Sequence, residues 1–209
     1  MKRVLIATSN AGKLRDFAGA AKAFQIEISG IPNFSSLPEV IEDGLTFEVN
    51  ARKKAEEYSL HAPGEIVLAD DSGLAVDALN GAPGVHSARF ASLGTDVGGN
   101  ASDEANNARL LREIAGLPPE KRAAQFVCFL AAARDGKTLA VFSGEAHGVL
   151  LDAPQGSHGF GYDPLFFFPS LNKTFAELTP EEKSAVSHRG QAFRKFLEWQ
   201  RQTCFAVSI

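Results

Sequence analysis

The chain has 209 residues, a hydrophobic content of 44% and a formal charge of −4. That length fits one large domain or two small ones, with enough apolar residues for a sizeable core. The acidic balance excludes a nucleic-acid surface built on bulk charge, while leaving room for small anionic ligands. Cys128 and Cys204 lie far apart with no close Cys or His spacing, so neither a disulfide framework nor a zinc site is indicated, and a reducing cytoplasm fits best. The apolar run near the N-terminus is too short for a signal segment or a membrane span.

Val4 to Ala7 reads as a buried strand running into the polar loop Thr8-Ser9-Asn10-Ala11-Gly12-Lys13. A helix follows, with Leu14, Phe17, Ala18, Ala21 and Phe24 at helical spacing. The loop is not a Walker P-loop, since Leu14 stands where Ser or Thr would be needed. It still sets backbone N–H groups, small polar side chains and one ammonium at a helix N-terminus, a natural seat for phosphate; a capped helix with a solvated lysine is the plainer alternative. A second strand is expected over Gln25 to Ile28, then an irregular connection from Pro32 to Pro38.

Thr46 is the expected N-cap of a helix to about Leu60, although Val49 stands where Glu would complete a capping box. Glu42, just upstream, offers a carboxylate, and Arg52, Lys53 and Lys54 form a basic cluster that is mostly a solvated face. Val67-Leu-Ala-Asp-Asp-Ser-Gly-Leu74 is the most informative stretch: an apolar strand that ends in Asp70 and Asp71, followed by Ser72. Paired carboxylates at a strand end suit a hard cation such as Mg2+, which arrives with substrate phosphates; the plainer alternative is a turn in which Asp71 caps a loop.

Leu74 to Leu79 is expected to continue as a strand, and Gly81-Ala-Pro-Gly84 as a loop. Gly94 to Asn107 reads as a polar surface segment leading into a helix that ends near Gly116. Ala124–Ala133 and Thr138–Leu151 form a long hairpin around Asp135-Gly136. In Gly156-Ser-His158-Gly-Phe160-Gly161-Tyr162-Asp163, glycines let backbone approach a flat ligand on which an aromatic ring stacks, and a purine suits that geometry; the plainer alternative is an ordinary loop that buries Phe160 and Tyr162. Pro164–Pro169 is a short buried strand, and Thr179-Pro-Glu-Glu182 starts a last helix running to about Thr203, with Lys183 and Ser187 on one face. Gly190 inside that helix marks either a close approach or a break. No repeat, heptad seam or interdomain linker is visible, and parallel units beside a hairpin indicate an α/β fold with a mixed sheet.

Taken together these blocks closely resemble the inosine triphosphate pyrophosphatase family across nearly the whole chain. The carriers are Thr8–Lys13, Gly44–Ala51, Leu68–Asp77, Gly81–Arg89, His158–Phe166, Lys173–Leu178 and Ser187–Gly190. The resemblance implies an elongated single domain with a central mixed sheet flanked by helices, two lobes, a nucleotide cleft between them, and a homodimer; composition and hydropathy add the expectation of a cytoplasmic protein that binds neither nucleic acid nor membrane. It implies hydrolysis of ITP, dITP and XTP to the monophosphate and pyrophosphate. By the same resemblance Asp71 is the base, Mg2+ is held by Glu42, Asp70 and Asp71, and the phosphates by Thr8, Ser9, Asn10, Ala11, Gly12, Lys13 and Lys54. Ser72 touches substrate, and Phe160, Gly161, Tyr162, Asp163, Lys183, His188 and Arg189 form the base pocket. The chain departs from the family at Ser9, Val49 and Asn172, the last standing where glycine often precedes Lys-Thr-Phe.

Overall fold

The computed structural model describes residues 3–22, 24, 26–96 and 98–206; Met1, Lys2, Gln25 and the Cys204 side chain fall outside it. Seven strands form one mixed sheet in the order β2-β1-β3-β4-β5-β6-β7. β1 (Arg3–Ile6) lies parallel to β2 (Glu27–Gly30) and to β3 (Val67–Val76). β4 (Ala123–Arg134) and β5 (Lys137–Leu150) form the expected hairpin, its turn residues Asp135 and Gly136 both at positive φ (50° and 77°). β6 (Phe166–Phe168) runs antiparallel to β5, and β7 (Lys173–Thr174) to β6.

The chain divides into two compact units, the first made of Met1–Asp71, Cys128–Gly144 and Ser184–Ile209, the second of Ser72–Val127 and Glu145–Lys183. In the first unit the two sheet faces carry different cores. Leu68, on one face, packs with Phe17 and Ala21 of α1 (Ala11–Lys22) and with Phe193 and Phe196 of α5 (His188–Ala206). Val67 and Ala69, on the other face, pack with Ala51, Ala55 and Tyr58 of α2 (Phe47–Ser59). This is the two-residue alternation of a strand, and it decides where the next two side chains go. The second unit has its own core, in which Phe126, Phe166 and Phe175 pack with ring centroids 4.7–5.7 Å apart.

Several local expectations are met. Thr46 caps α2 by accepting from the Val49 N–H at 3.3 Å. Thr179 and Glu182 exchange the two hydrogen bonds of a capping box at the start of α4 (Pro180–Val186). Asn172 sits at φ 52°, ψ 39°, a left-handed position that Asn tolerates better than most residues, so its substitution for glycine keeps the turn.

Three expectations need correction. β3 does not stop at the aspartates; it runs through them to Val76, and a short 3-10 turn (Asp77–Leu79) replaces the rest of the expected strand. The polar segment from Gly94 gives way to helix earlier than expected, as Ser102 caps α3 (Asp103–Glu113). The final helix is two helices, broken at Ser187 rather than at Gly190. Ser187 Oγ accepts from the Gly190 N–H at 3.1 Å and so caps α5, which takes Ser187 off the Lys183 face. Gly190 reflects close approach: a Cβ there would run into the Ser184 carbonyl oxygen.

Candidate active site

β1 gives out at Ile6, opposite Leu68, while β3 continues. Asp70 and Asp71 therefore lie just past the end of a neighbouring strand, at the point where the Thr8–Lys13 loop leaves the sheet. Asn10 caps α1, its Oδ1 accepting from the Lys13 N–H at 3.0 Å, and Thr8 Oγ1 accepts from the Asn10 N–H at 3.1 Å. The loop thus presents a helix N-terminus and the Lys13 ammonium.

Consecutive strand residues face opposite ways, and the partners of the two aspartates show it. Asp70, of Leu68 parity, meets α1 and α5: Lys13 Nζ lies 3.1 Å from one carboxylate oxygen and Arg189 Nε 3.3 Å from the other. Arg189 also donates to Asp16 Oδ2 at 2.7 Å. Asp71, of Ala69 parity, meets α2: Asn50 Nδ2 donates to it at 2.9 Å, and Lys54 Nζ stands 3.7 Å from it and 3.0 Å from Glu42. Asn50 and Lys54 share a helical face. Asn50 Oδ1 also accepts from the Gly44 N–H at 2.8 Å, which ties down the segment carrying Glu42. Arg52 and Lys53 pair instead with Glu48 and Asp43 near the surface, as expected of a solvated face.

Electrostatically the two faces differ. On the Asp70 face two cations, Lys13 and Arg189, meet two carboxylates, Asp70 and Asp16. Burial works to raise the Asp70 pKa, but Lys13, Arg189 and Lys54 outweigh it and hold the carboxyl well below its usual range. On the Asp71 face the Lys54 ammonium spans two carboxylates. There burial, with Glu42 adding repulsion, prevails over Lys54, Lys13 and the Asn50 hydrogen bond, and the Asp71 pKa is pushed up to about 6. Burial alone would lower the Lys54 pKa, but Asp71, Glu42 and Asp70 together raise it.

The expected three-carboxylate metal shell is not gathered: among the described residues no group of three His, Cys, Asp or Glu side chains stands ready to hold an ion. The alternation along β3 is the reason, since Asp70 faces away from Asp71 and is engaged by Lys13 and Arg189. Glu42 and Asp71 remain as a hard-oxygen pair sharing one ammonium. That set fits a small cation which brings most of its oxygen ligands from water and phosphate.

In the second unit Asp163 Oδ2 accepts from Lys183 Nζ at 2.5 Å and from the Phe160 N–H at 2.9 Å. The Lys183 ammonium also lies 4.8 Å from the Phe160 ring centroid. Gly159 is required here, because at φ 79° any Cβ would strike the Asp163 carboxylate. Phe160 is half-buried, whereas Tyr162 is a core residue whose hydroxyl donates to the Ser87 carbonyl at 2.8 Å. Burial raises the Tyr162 pKa. Of the two rings in this loop, Phe160 is therefore the one left partly exposed. Ser72 is half-buried, and His188 is buried at the first turn of α5. Arg189, expected beside the base, is instead committed to Asp70 and Asp16.

Sequence reasoning missed Asp16, Asn50 and Ser87. Asn50 had a signal, being a poor helix former one turn before Lys54. Asp16 sits three residues from Lys13 on the same face of α1. Ser87 had none: it accepts from the Leu74 N–H at 2.9 Å and donates to the Gly84 carbonyl at 2.6 Å, contacts only the fold creates.

Fold and site together define an α/β protein whose central strand carries charge clusters on opposite faces beside the N-terminus of α1. The model of the Ham1 family matches residues 4–199, and the chain belongs to that family. The dITP/XTP pyrophosphatase of Geobacter sulfurreducens is 50% identical over 203 residues, covering 96% of this chain and 98% of that protein. That of Geobacillus kaustophilus is 48% identical over 203 residues, covering 96% and 95%. Among solved structures, the Staphylococcus aureus Ham1 protein matches with a TM-score of 0.79 at 40% identity, over 97% of this chain and 100% of that one. A HAM1 protein from Coxiella burnetii matches at 0.80 and 36%, with the same coverage. No helix among the described residues is long and apolar enough to cross a membrane.

Proposed function

We propose that this chain hydrolyses ITP, dITP and XTP to the nucleoside monophosphate and pyrophosphate, clearing non-standard purines from the nucleotide pool. Family membership and the relatives' names support the substrate class. The observation that carries the chemistry is the Lys54 ammonium spanning Glu42 and Asp71, two carboxylates brought together on one cation.

In this reading Glu42 and Asp71 hold Mg2+, which when bound neutralises phosphate oxygens and acidifies water. Asp71 accepts the proton of the attacking water. Lys13 and the N-terminus of α1 bind the phosphate tail, and Lys54 turns from the carboxylates to the phosphates, offsetting charge on the departing pyrophosphate. Asp70 positions Lys13 and is not itself a metal ligand. Phe160 stacks on the base, and Lys183, oriented by Asp163, donates to a 6-keto oxygen. Adenine presents an amino group there and leaves that donor unpaired, at a cost of about 1–3 kcal/mol. The enzyme works in the cytoplasm as a homodimer, a role for which the exposed Ile41, Leu45 and Val49 supply apolar surface.

A panel of ITP, dITP, XTP, GTP, ATP, dUTP and dTTP tests this, with orthophosphate and pyrophosphate assayed separately, in Mg2+ and in EDTA. The expected result is pyrophosphate from the 6-keto non-standard purines, in Mg2+ only. A pyrimidine preference, orthophosphate as product, or intact nucleotide overturns the proposal.

A further inference from the structure

The loop carrying Phe160 and Asp163 is gripped at its midpoint by a different element. Asp103 and Asn107 lie one turn apart on α3 and so share a face. Asp103 Oδ2 accepts from the Gly161 N–H at 2.6 Å, and Asn107 Nδ2 donates to the Gly161 carbonyl at 2.9 Å. Both polar backbone atoms of one residue, held at φ 62°, are thereby fixed from outside the loop. The Asn107 amide has one workable orientation. Turned over, it would set its own oxygen against the Gly161 carbonyl, and as it stands its Oδ1 is buried with no hydrogen-bond partner among the described residues.

The helix that grips is itself held. Asn106 Oδ1 accepts from the Ala91 N–H at 2.8 Å while its Nδ2 donates to the Ala88 carbonyl at 3.1 Å. Arg109 donates to the Phe90 and Leu93 carbonyls at 2.6 and 2.9 Å. The same segment receives the Tyr162 hydroxyl at Ser87, so hydrogen bonds run in a closed ring from Tyr162 through Ser87, α3 and Gly161 back to Tyr162.

We propose that Asp103 and Asn107 are positioning residues for base recognition. By clamping Gly161 they fix the Phe160 ring on one side and the Asp163–Lys183 pair on the other. An element that itself touches no substrate thus sets how tightly the base is held. The inference rests on the reading of the Phe160 loop as the base site.

The test compares Asp103→Ala, Asn107→Ala and the conservative Asp103→Asn with the unmodified chain. It measures KM and kcat for ITP, inhibition by inorganic tripolyphosphate, which has no base, and thermal unfolding. Each alanine variant is expected to raise KM about fivefold, the worth of one hydrogen bond. The value of kcat should stay within about twofold, tripolyphosphate inhibition should not change, and Asp103→Asn, whose amide oxygen still accepts, should recover the unmodified KM. An unchanged KM in both alanine variants, a parallel loss of tripolyphosphate inhibition, or an Asp103→Asn protein as poor as Asp103→Ala overturns the clamp. An unmodified chain that does not turn over ITP overturns the site reading and the clamp together.

Discussion

Replacing Asp71 by asparagine is expected to abolish turnover and, in the absence of metal, to make the protein more stable. Burial raises the Asp71 pKa from 3.8 to about 6, so the folded chain holds the proton more tightly than the unfolded chain does. The stabilisation linked to that proton is fully present below pH 3.8 and is lost as pH rises through about 6. Roughly two pKa units correspond to about 3 kcal/mol, a net figure that already includes the attraction to Lys54, and an upper bound because asparagine reproduces the contacts of the neutral acid only in part. Lys54 keeps Glu42 at 3.0 Å, and an amide oxygen still accepts from Asn50, so about 2 kcal/mol is the working figure. Urea unfolding in EDTA across pH 4 to 8 should therefore show the two proteins equal near pH 4, with Asp71→Asn ahead by about 2 kcal/mol at pH 7.5. Added Mg2+ should reverse the order, since the native carboxylate binds the ion and the amide binds it poorly. No gain at pH 7.5, or a gain that does not vary with pH, refutes the claim that the fold holds this carboxylate at a cost.

Arg189→Met is expected to destabilise the chain by about 3 kcal/mol, the low end for breaking a buried pair, because Lys13 still faces Asp70. It should lower kcat without altering the ITP to ATP ratio, and a changed ratio in a kinetic comparison would return Arg189 to base reading. Gly190→Ala should cost about 2 kcal/mol through collision with the Ser184 carbonyl, lowering Tm by about 4–8 °C in a calorimetric scan. An unmoved Tm would show that α4 and α5 part easily. Leu45, 94% exposed, is the residue to charge: Leu45→Glu should shift the particle from dimer to monomer by light scattering, and a persistent dimer would place the interface elsewhere.

What the sequence showed was local chemistry. Thr46, the Thr179–Glu182 box and Asp135-Gly136 announce themselves because each completes its own hydrogen bonds within a few residues. The break at Ser187 escaped notice, as it carries neither proline nor glycine; its mark is a serine hydroxyl that satisfies an N–H three residues on. The extent of β3 escaped for another reason: whether a strand continues past charged residues depends on whether its neighbours continue, and β1 ends where the charges begin. Residue types gave Asp70, Asp71, Lys13 and Arg189 as candidates, but Arg189 finds Asp70 across 119 residues of chain, a pairing that spacing does not encode.

The adjacency of the two aspartates, which first drew attention as a metal-binding pair, turns out to divide labour. Neighbours on a strand point to opposite faces, so one carboxylate is delivered to α1 and α5 and the other to α2. On the first face Asp70 is met on both oxygens, by Lys13 and by Arg189, and so holds Lys13 at the start of α1. On the second face two carboxylates, Glu42 and Asp71, meet the Lys54 ammonium. Under the proposed function, a site that admits a cation and a polyanion together draws on both faces: Asp70 orients Lys13 toward the polyanion, and Glu42 and Asp71 gain by binding the cation. Exchanging the residues at positions 70 and 71 is formally silent here, since both are aspartate, but Asp70→Asn and Asp71→Asn are not equivalent. The first should loosen Lys13 and weaken tripolyphosphate binding, while the second should spare that binding in EDTA and remove the response to Mg2+. Equal effects of the two variants on both measurements would mean that the sheet does not separate the two carboxylates at all.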